Sequence, residues 1–384
     1  MRILYLTADP GVPVLGTKGA SIHVRELTRA LAEGGAEVTI ASPRIGDEGG
    51  VRDWGGSLLQ ISPVLPKQHL RPETLTAAID AQATDVELAA RGARADVIYE
   101  RFSLFSTAGV RAAAALGIPH LLEVNAPLRD EARRFRVLPH ADIAEAAERH
   151  VFAGSDVILA VSQPLADWIH RTGCTTPVTV LENAVDPARF GSAEARPVDR
   201  FVAGFAGSLK PWHGIEVLLA ACAIAMREQP TLHLEIVGGG PMSVAIDRAD
   251  LPPDRVIQHG VVDHARAIRL IGGWHAGLAP YHDLPGFYFS PLKVLEYMAS
   301  EVCPIASDLG QIHTLLGGGE RGVLVPAGDR AALASALASM VADPAAAARK
   351  AAAARAYVIA THTWRGNAAR VIDLAGRVPR RRAA

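Results

Sequence analysis

The residue types best suited to chemistry stand together in the stretch FYFSPLKVLEYMAS, residues 287–300. Ser290 suits a helix N-cap, and Pro291 suits the first helical position, where its missing N–H costs nothing. The pattern therefore predicts a helix whose first amides, which lack intrahelical acceptors, lie beside Lys293 and Glu296. Such a helix start suits an anion such as phosphate, and a nearby carboxylate suits neutral hydroxyls such as those of a ribose.

The same stretch also fits a plain surface helix. Leu292, Leu295 and Ala299 form an apolar stripe at helical spacing. Lys293 and Glu296 would then be an ordinary pair three residues apart on an exposed face. On these residues alone, both interpretations stay open.

Three glycine-bearing loops extend the set of candidate binding residues. In DPGVPVLGTKGAS, Gly16 and Gly19 permit close backbone approach ahead of a helix that begins at Ser21. This loop has neither a GxGxxG nor a P-loop spacing, so a plain strand-to-helix turn explains it equally well. The loops in FAGSLKPWHGIEV and EIVGGGPM follow two further predicted strands. They contribute Gly207, Ser208, Lys210, His213, Gly238 and Gly239.

Weaker polar candidates lie in the first half of the chain. Glu100 and Arg101, in VIYERF, follow a predicted strand and either face a ligand or form an internal salt bridge. Lys18 lies in the first glycine loop, and His282 with Asp283 reads as a solvated pair. No His, Asp or Glu cluster has metal-ligand spacing, and no Ser-His-Asp arrangement is visible. The sequence therefore predicts no bound metal.

Composition narrows the class of protein. A chain of 384 residues is long enough for about two domains. The 39 basic and 40 acidic residues leave a net charge of −1, which argues against a nucleic-acid binder that relies on bulk electrostatics. Three scattered cysteines, Cys174, Cys222 and Cys303, fit neither a disulfide framework nor a zinc site. We therefore expect a reducing, cytoplasmic environment.

The chain has no stretch that approaches the roughly 20 apolar residues of a membrane span. Its N-terminus, MRILYLTADPG, reads as a buried strand and a loop rather than a signal peptide. The basic tail RVPRRRAA reads as a solvated end, and weak contact with an anionic membrane surface is the alternative interpretation. The oligomeric state cannot be read from the sequence.

Apolar runs alternate with helical patterns along the whole chain, which predicts two parallel, doubly wound sheets in tandem. The expected strands are Ile3–Leu6, Val38–Ala41, Val97–Tyr99, His120–Val124, Val157–Val161 and Val178–Leu181, then a run from Phe201, Leu232–Val237, Val256–His259, Gly277–Pro280 and Cys303–Ser307. The polar segment Asp186–Asp199 is the expected linker. We predict an N-terminal domain over 1–190, a second domain over 200–358, and a final helix and tail over 359–384 that pack back toward the N-terminal domain.

The order of these segments resembles the GT-B glycosyltransferases, most closely the retaining enzymes of glycosyltransferase family 4. The resemblance covers about residues 1–375. Its seven collinear segments are GTKGASIHVRELTRALAEGGAEVTIAS, LENAVDPARF, FAGSLKPWHGIEVLLAA, LEIVGGGP, FYFSPLKVLEYMAS, CPIASDLGQ and RGVLVPAGD. No single segment is decisive, but seven in the right order are specific. The resemblance implies two Rossmann-like domains that face each other across a cleft.

The resemblance also implies roles for the residues introduced above. The helix start at Pro291–Lys293 would hold the diphosphate of a nucleotide-sugar donor, and Glu296 would bind its ribose. The glycine loops, including Gly16 and Gly19, would line the donor site, and Lys18, Glu100 and Arg101 would lie on the acceptor side.

Several positions depart from the family pattern. Tyr288 stands where the family often has a first glutamate near the donor sugar, and Ser208 and His213 stand where it has an Arg and a Lys. Lys210 and Lys293 would then supply the missing cations. A histidine that many members carry is Asn125 here, preceded by Glu123, and an asparagine cannot take a proton. The predicted catalytic set is therefore Glu123, Asn125, Lys210 and Tyr288.

The resulting prediction is a retaining hexosyltransferase-type enzyme that uses a UDP-sugar, or alternatively a GDP-sugar, without cofactor or metal. Its acceptor is an unidentified small molecule or glycan. Three alternatives stay open: a GT-B sugar-nucleotide epimerase, a dinucleotide-dependent oxidoreductase, and a catalytically silent nucleotide-sugar-binding partner protein. The missing GxGxxG spacing argues against the oxidoreductase.

Overall fold

A computed structural model describes residues 1–46, 56–190, 196–283 and 286–380. The chain forms two compact units. The first comprises Met1–Asn183, Tyr288–Ser290 and Trp364–Ala384, and the second comprises Ala184–Phe287 and Pro291–Thr363. Residues 191–195 of the expected linker and the last four residues of the basic tail lie outside the described residues.

The first unit is built on a parallel sheet of seven strands in the order β3-β2-β1-β4-β5-β6-β7. The strands are β1 (Arg2–Thr7), β2 (Glu37–Ser42), β3 (Ser57–Gln60), β4 (Val97–Arg101), β5 (His120–Val124), β6 (Val157–Ala160) and β7 (Val178–Val180). The central strands are buried along their length because helices cover both faces of the sheet, which is why they read as apolar runs. The prediction missed β3, a short edge strand with largely exposed side chains.

In the described part of this unit, six helices connect the strands. They are α1 (Gly19–Glu33), α2 (Pro72–Gly92), α3 (Ala108–Leu116), α4 (Leu128–Phe135), α5 (Ala141–Gly154) and α6 (Gln163–Arg171). Helix α1 begins at Gly19, two residues before the predicted Ser21, and it buries Val24, Leu27 and Leu31 on one face as their spacing indicates.

The second unit repeats this plan with a parallel sheet of six strands in the order β10-β9-β8-β11-β12-β13. The strands are β8 (Phe201–Ala206), β9 (Leu232–Val237), β10 (Val256–Gly260), β11 (Ala276–Ala279), β12 (Cys303–Ser307) and β13 (Val323–Val325). The helices are α7 (Ile215–Glu228), α8 (Ser243–Asp247), α9 (His264–Gly272), α10 (Leu292–Ala299), α11 (Gln311–Leu315), α12 (Arg330–Ala342) and α13 (Pro344–Thr361). Strand β13, only three residues long, was not predicted.

The last helix, α14 (Trp364–Arg377), belongs to the first unit and packs against α1. Over the described ranges, no single helix has both the length and the apolarity to cross a membrane. The bent pair α12 and α13 meets that test together, by length and composition only. Leu333 and Leu337 of α12 are buried in the core of the second unit.

Each sheet reverses its strand order at one point, between β1 and β4 in the first unit and between β8 and β11 in the second. Chain connections leave the sheet in opposite directions there, which opens a crevice at the carboxyl ends of the strands. Ligands of doubly wound sheets bind at such points. The loops after β4, β5, β8 and β11 are therefore where functional side chains are expected.

Candidate functional site

Two glycine loops of the second unit approach each other more closely than side chains would allow. Gly207 and Gly238 have positive φ angles of 139° and 129°. A Cβ on Gly238 would lie 2.0 Å from the Gly207 carbonyl oxygen, so no other residue fits there. The Gly207 amide donates to the Val237 carbonyl at 2.9 Å, and the Leu209 amide donates to the Gly239 carbonyl at 3.1 Å. The loops at the carboxyl ends of β8 and β9 are thus tightly packed against each other and half-buried.

The end of the same loop is held against β11. Gly214 has a φ of 65°, and a Cβ there would lie 1.5 Å from the Pro280 carbonyl oxygen. This contact places the segment from Gly207 to Gly214 at the point where the strand order reverses. Ser208 is exposed in this loop and Lys210 is half-buried, with its Nζ 5.8 Å from the centroid of the Trp212 ring.

Lys293 is the second residue of α10 and is only 9% exposed. Its Nζ lies 3.9 Å from the centroid of the Phe205 ring and 5.5 Å from that of Tyr281. A Cβ on Gly207 would be 3.3 Å from the same atom. Within the described residues, Nζ has no hydrogen-bond partner. Burial lowers the pKa of Lys293 to about 7, against the opposing charge of Glu296.

Helix α10 begins at Leu292, so Pro291 occupies the N-cap position and not the first helical position. The prediction that Ser290 caps this helix is wrong. Its Oγ accepts a hydrogen bond from the Asn183 amide at 3.0 Å, because the Tyr288–Ser290 segment packs within the first unit. In the part of the chain that is described, the amides of Leu292 and Lys293 have no acceptor. They remain available to an anion beside the lysine.

His213 does not supply a cation to this site. Its Nδ1 donates to the Ser208 carbonyl oxygen, which fixes the tautomer. Burial, with the nearby charges of Lys293 and Lys210, lowers the pKa of His213 to about 3. The ring is therefore neutral at pH 7. The cationic side chains that lie near this loop are Lys210 and Lys293, and their assignment to a phosphate stays a prediction.

Glu296, one turn into α10, is oriented by a residue that the sequence analysis missed. His264, the first residue of α9, places Nε2 at 2.8 Å from Glu296 Oε1. Its Nδ1 lies 3.5 Å from Nη1 of Arg189 and accepts a hydrogen bond from it. Nε2 therefore carries the hydrogen and donates a hydrogen bond to Glu296. The available signal was Asp263, whose carboxylate caps α9 by accepting from the Arg266 amide at 2.8 Å. Such a cap marks the start of a helix at the carboxyl end of a strand, the end at which ligands of doubly wound sheets bind.

The first unit contains a different arrangement around Glu123. This carboxylate, at the end of β5, is 2% exposed. Its Oε1 accepts from Arg101 Nη1 at 3.1 Å and from the side-chain amide of Asn125. Its Oε2 lies 2.9 Å from His23 Nε2 and accepts from the Tyr99 hydroxyl. Burial raises its pKa, but the charge and hydrogen bond of His23, with Arg101 and Asn125, hold it down to about 2. Glu123 is ionised and fully hydrogen-bonded.

The remaining first-unit candidates have partners of their own. Glu100 is fully buried and pairs with His120 Nε2 at 2.9 Å, so the internal salt bridge is the correct alternative for it. Lys18, exposed, donates to the Gly11 carbonyl at 2.9 Å. The predicted donor glycines of this unit lie in the loop before α1 and at its first residue: Gly16 and Gly19.

Tyr288 belongs to the first unit, where its hydroxyl donates to Glu131 of α4. Burial raises the pKa of this phenol, and the charge and hydrogen bond of Glu131 raise it further. The side chain is neutral and already hydrogen-bonded, so contact with a sugar hydroxyl would require this bond to be exchanged. Within the described ranges, no group of three or more His, Cys, Asp or Glu side chains could hold a metal ion.

Comparison with known proteins relates both units to one class of enzyme. Residues 17–189 match the family model described as Glycosyltransferase Family 4, and residues 200–343 match the model described as Glycosyl transferases group 1. Alpha-maltose-1-phosphate synthase of Mycolicibacterium smegmatis is 25% identical over 97% of this chain and 98% of its own. D-inositol 3-phosphate glycosyltransferase of Streptomyces avermitilis is 26% identical over 97% of this chain and 86% of its own.

Solved structures share the GT-B fold. Sucrose-phosphate synthase from Thermosynechococcus elongatus superposes with a TM-score of 0.76 at 19% identity, covering 97% of this chain and 98% of that one. Anabaena HepE in complex with UDP-glucose superposes with a TM-score of 0.74 at 17% identity, covering 98% and 100%. These likenesses establish the fold.

Proposed function

The chain belongs to family 4 of the glycosyltransferases, enzymes of the GT-B fold, and we propose that it transfers a sugar from a nucleotide-diphosphate donor with retention of anomeric configuration. The proposed donor is a UDP-sugar, with a GDP-sugar as the alternative, and the acceptor is a hydroxyl of a small molecule or glycan. UDP is favoured because structures of the same fold, those of Anabaena HepE, were determined with UDP and UDP-glucose.

The observation that carries the proposal is the environment of Lys293. An ammonium group that is buried without a hydrogen-bond partner costs free energy, and a diphosphate would offset that cost by accepting its protons. The free amides of Leu292 and Lys293 point from the helix start, where the helix dipole also favours negative charge. The absence of a side chain at Gly207 allows a ligand to come close. We assign the donor diphosphate to this place.

The ribose of the donor is assigned to Glu296. A carboxylate whose Oε1 is held by His264 keeps Oε2 for hydroxyl donors. Two adjacent hydroxyls on one sugar ring suit such an acceptor, and hydrogen bonds to a charged group contribute about 1.5–3 kcal/mol.

The proposed reaction breaks the bond between the anomeric carbon and the diphosphate oxygen and forms a bond from that carbon to the acceptor oxygen on the same face. The acceptor proton passes to the leaving phosphate oxygen, so no protein base is required. Glu123 is not assigned as nucleophile because both its oxygens are engaged by donors from four side chains. Lys293, Lys210 and the helix amides would stabilise the charge that develops on the leaving diphosphate, the role that a metal ion has in other transferases.

The test is a transfer assay with UDP- and GDP-sugars and a panel of hydroxyl acceptors, run with excess chelator. We expect activity to survive chelation and proton NMR of early product to show the anomeric configuration of the donor. An inverted anomer would overturn retention, and loss of activity that magnesium or manganese restores would overturn metal independence. Conversion of the donor sugar without an acceptor would indicate an epimerase. Donor binding with no turnover would indicate a silent binding protein.

A further inference from the structure

His23 of α1 is a buried residue of the first unit with no role in the transfer chemistry proposed above. It is 4% exposed, and its ring meets the Trp364 ring edge to face at 4.9 Å. Its Nδ1 lies 2.8 Å from Asn183 Oδ1, and its Nε2 lies 2.9 Å from Glu123 Oε2. Both ring nitrogens therefore face oxygen atoms.

The surrounding hydrogen bonds show that both oxygen atoms that face the His23 ring are acceptors. The Nδ2 group of Asn183 donates to the Ser290 carbonyl at 2.8 Å, so the Oδ1 atom is the one that faces His23 and can only accept. Glu123 is ionised, because Arg101, Asn125 and Tyr99 all donate to it. Each ring nitrogen therefore faces an oxygen that accepts, and only a ring with a hydrogen on both nitrogens can donate to both oxygens.

The same asparagine connects this ring to the backbone that enters α10. Asn183 makes two hydrogen bonds to Ser290. Its side-chain Nδ2 donates to the Ser290 carbonyl, and its backbone amide donates to Ser290 Oγ at 3.0 Å. Ser290 is followed directly by Pro291 and the start of α10. A continuous series of hydrogen bonds thus runs from Glu123 through His23 and Asn183 to a residue three positions before Lys293.

We propose that His23 is a positioning residue for the donor. As an imidazolium it holds Asn183, and through Asn183 it fixes the Tyr288–Ser290 segment that leads into the helix start assigned to the diphosphate. A neutral ring has a single N–H and can donate to Glu123 or to Asn183, but not to both. The inference rests on the proposed function, because it concerns affinity for the donor.

The chain offers a matched control in His120. This residue is also buried, also pairs with a glutamate, at 2.9 Å to Glu100, and also has its second nitrogen within 3.0 Å of an acceptor, Ser155 Oγ. It lies on β5 of the same sheet, and none of its hydrogen bonds leads to Ser290. A general weakening of the first unit would affect both histidines, whereas a positioning role applies to His23 alone.

The first measurement is made without ligand and is then repeated with UDP. Nitrogen-15 NMR of the protein labelled at histidine, assigned with His23→Gln and His120→Gln, should show two protonated nitrogens for His23 at pH 7. Added UDP should shift the His23 signals and leave those of His120 unchanged. A neutral His23 ring, or signals that do not respond to UDP while it binds, would overturn the inference.

The second measurement is calorimetric titration with UDP. We expect His23→Gln to lower UDP affinity about tenfold and His120→Gln to change it less than twofold. Asn183→Ala should lower the affinity by a similar factor, and the double variant with His23→Gln should lose no more than either single variant. If His23→Gln fails to fold, Asn183→Ala alone decides. Wild-type affinity in a folded His23→Gln overturns the positioning role alone, whereas failure of the wild type to bind UDP overturns the proposed function with it.

Discussion

Two buried charges, one in each unit, have opposite surroundings. Glu123 receives donors from four side chains, and its pKa falls to about 2. Lys293 has no hydrogen-bond partner among the described residues, and its pKa falls to about 7, toward the neutral form. Burial costs free energy for both, but only Glu123 recovers it through hydrogen bonds within the folded chain. A satisfied buried charge indicates a structural role, and an unsatisfied one indicates a ligand site.

The largest expected effect is on the stability of the first unit. Glu123→Gln leaves His23 and Arg101 buried without their counter-charge, and we expect a loss of about 3–5 kcal/mol of unfolding free energy. Urea denaturation measures it. The control is Glu87→Gln, which removes only a partly exposed pair with Arg91 at 2.7 Å and should change stability by less than about 1 kcal/mol. Equal small losses in both variants would show that Glu123 is not a structural charge.

The lowered pKa of Glu123 predicts how the free energy of unfolding depends on pH. A depressed pKa means that the stabilisation is fully present above the ordinary value of 4.5 and is lost as the pH falls through about 2. The stability difference between the wild type and Glu123→Gln should therefore shrink by about 3 kcal/mol between those pH values. Denaturant titrations at several acid pH values test this. A difference that stays constant across the window would contradict it.

Removal of the Lys293 charge should leave stability intact and weaken ligand binding, the opposite of what is expected for Glu123. Lys293→Met should keep or raise stability, because it removes a buried cation that has no hydrogen-bond partner in the described part of the chain, yet weaken UDP binding by about 10- to 150-fold. Uridine, which lacks phosphates, should bind nearly as before. Calorimetry with UDP and with uridine distinguishes the loss of a phosphate contact from a general structural defect. Lys210→Met, at a half-buried position, should lose less affinity for UDP. A similar loss for uridine and UDP would indicate a structural defect and not a phosphate site.

The lowered pKa of Lys293 predicts that UDP affinity changes about tenfold with pH. The folded protein releases this proton near pH 7 and the unfolded chain only near 10.5, so stability rises with pH between those values. UDP requires the charged form, so its affinity should fall by up to about tenfold per pH unit above 7. Calorimetry at pH 7, 8 and 9 measures this, with Lys293→Met as the control that lacks the trend. An identical trend in the variant would assign it to another group.

The smallest effect concerns the residue that orients Glu296. His264→Gln should weaken UDP binding by about 1 kcal/mol, roughly fivefold, because Glu296 loses one fixed partner. The loss should disappear when 2′,3′-dideoxyuridine diphosphate replaces UDP, since that ligand has no ribose hydroxyls to offer. A fivefold loss of affinity that persists with the dideoxy ligand would contradict the assignment of the ribose to Glu296.

The sequence by itself determined the two doubly wound sheets, because buried parallel strands must be apolar runs and their connecting helices show a helical period. It also predicted the helix that carries Lys293 and Glu296, although that helix begins at Leu292 and is not capped by Ser290. It missed β3 and β13, since a strand of three or four residues at a sheet edge carries too little pattern.

Only the tertiary structure decided which polar groups meet. Ser290 has the side chain of a helix cap, but a competing hydrogen bond from Asn183, 107 positions away, removes it from that role. The His23–Glu123 contact joins residues 100 positions apart, and the His264–Glu296 contact joins residues 32 apart. Local sequence determines the propensity of a backbone segment. Whether a buried charge is satisfied depends on partners that only the completed fold brings within hydrogen-bonding distance, and that difference separates Glu123 from Lys293.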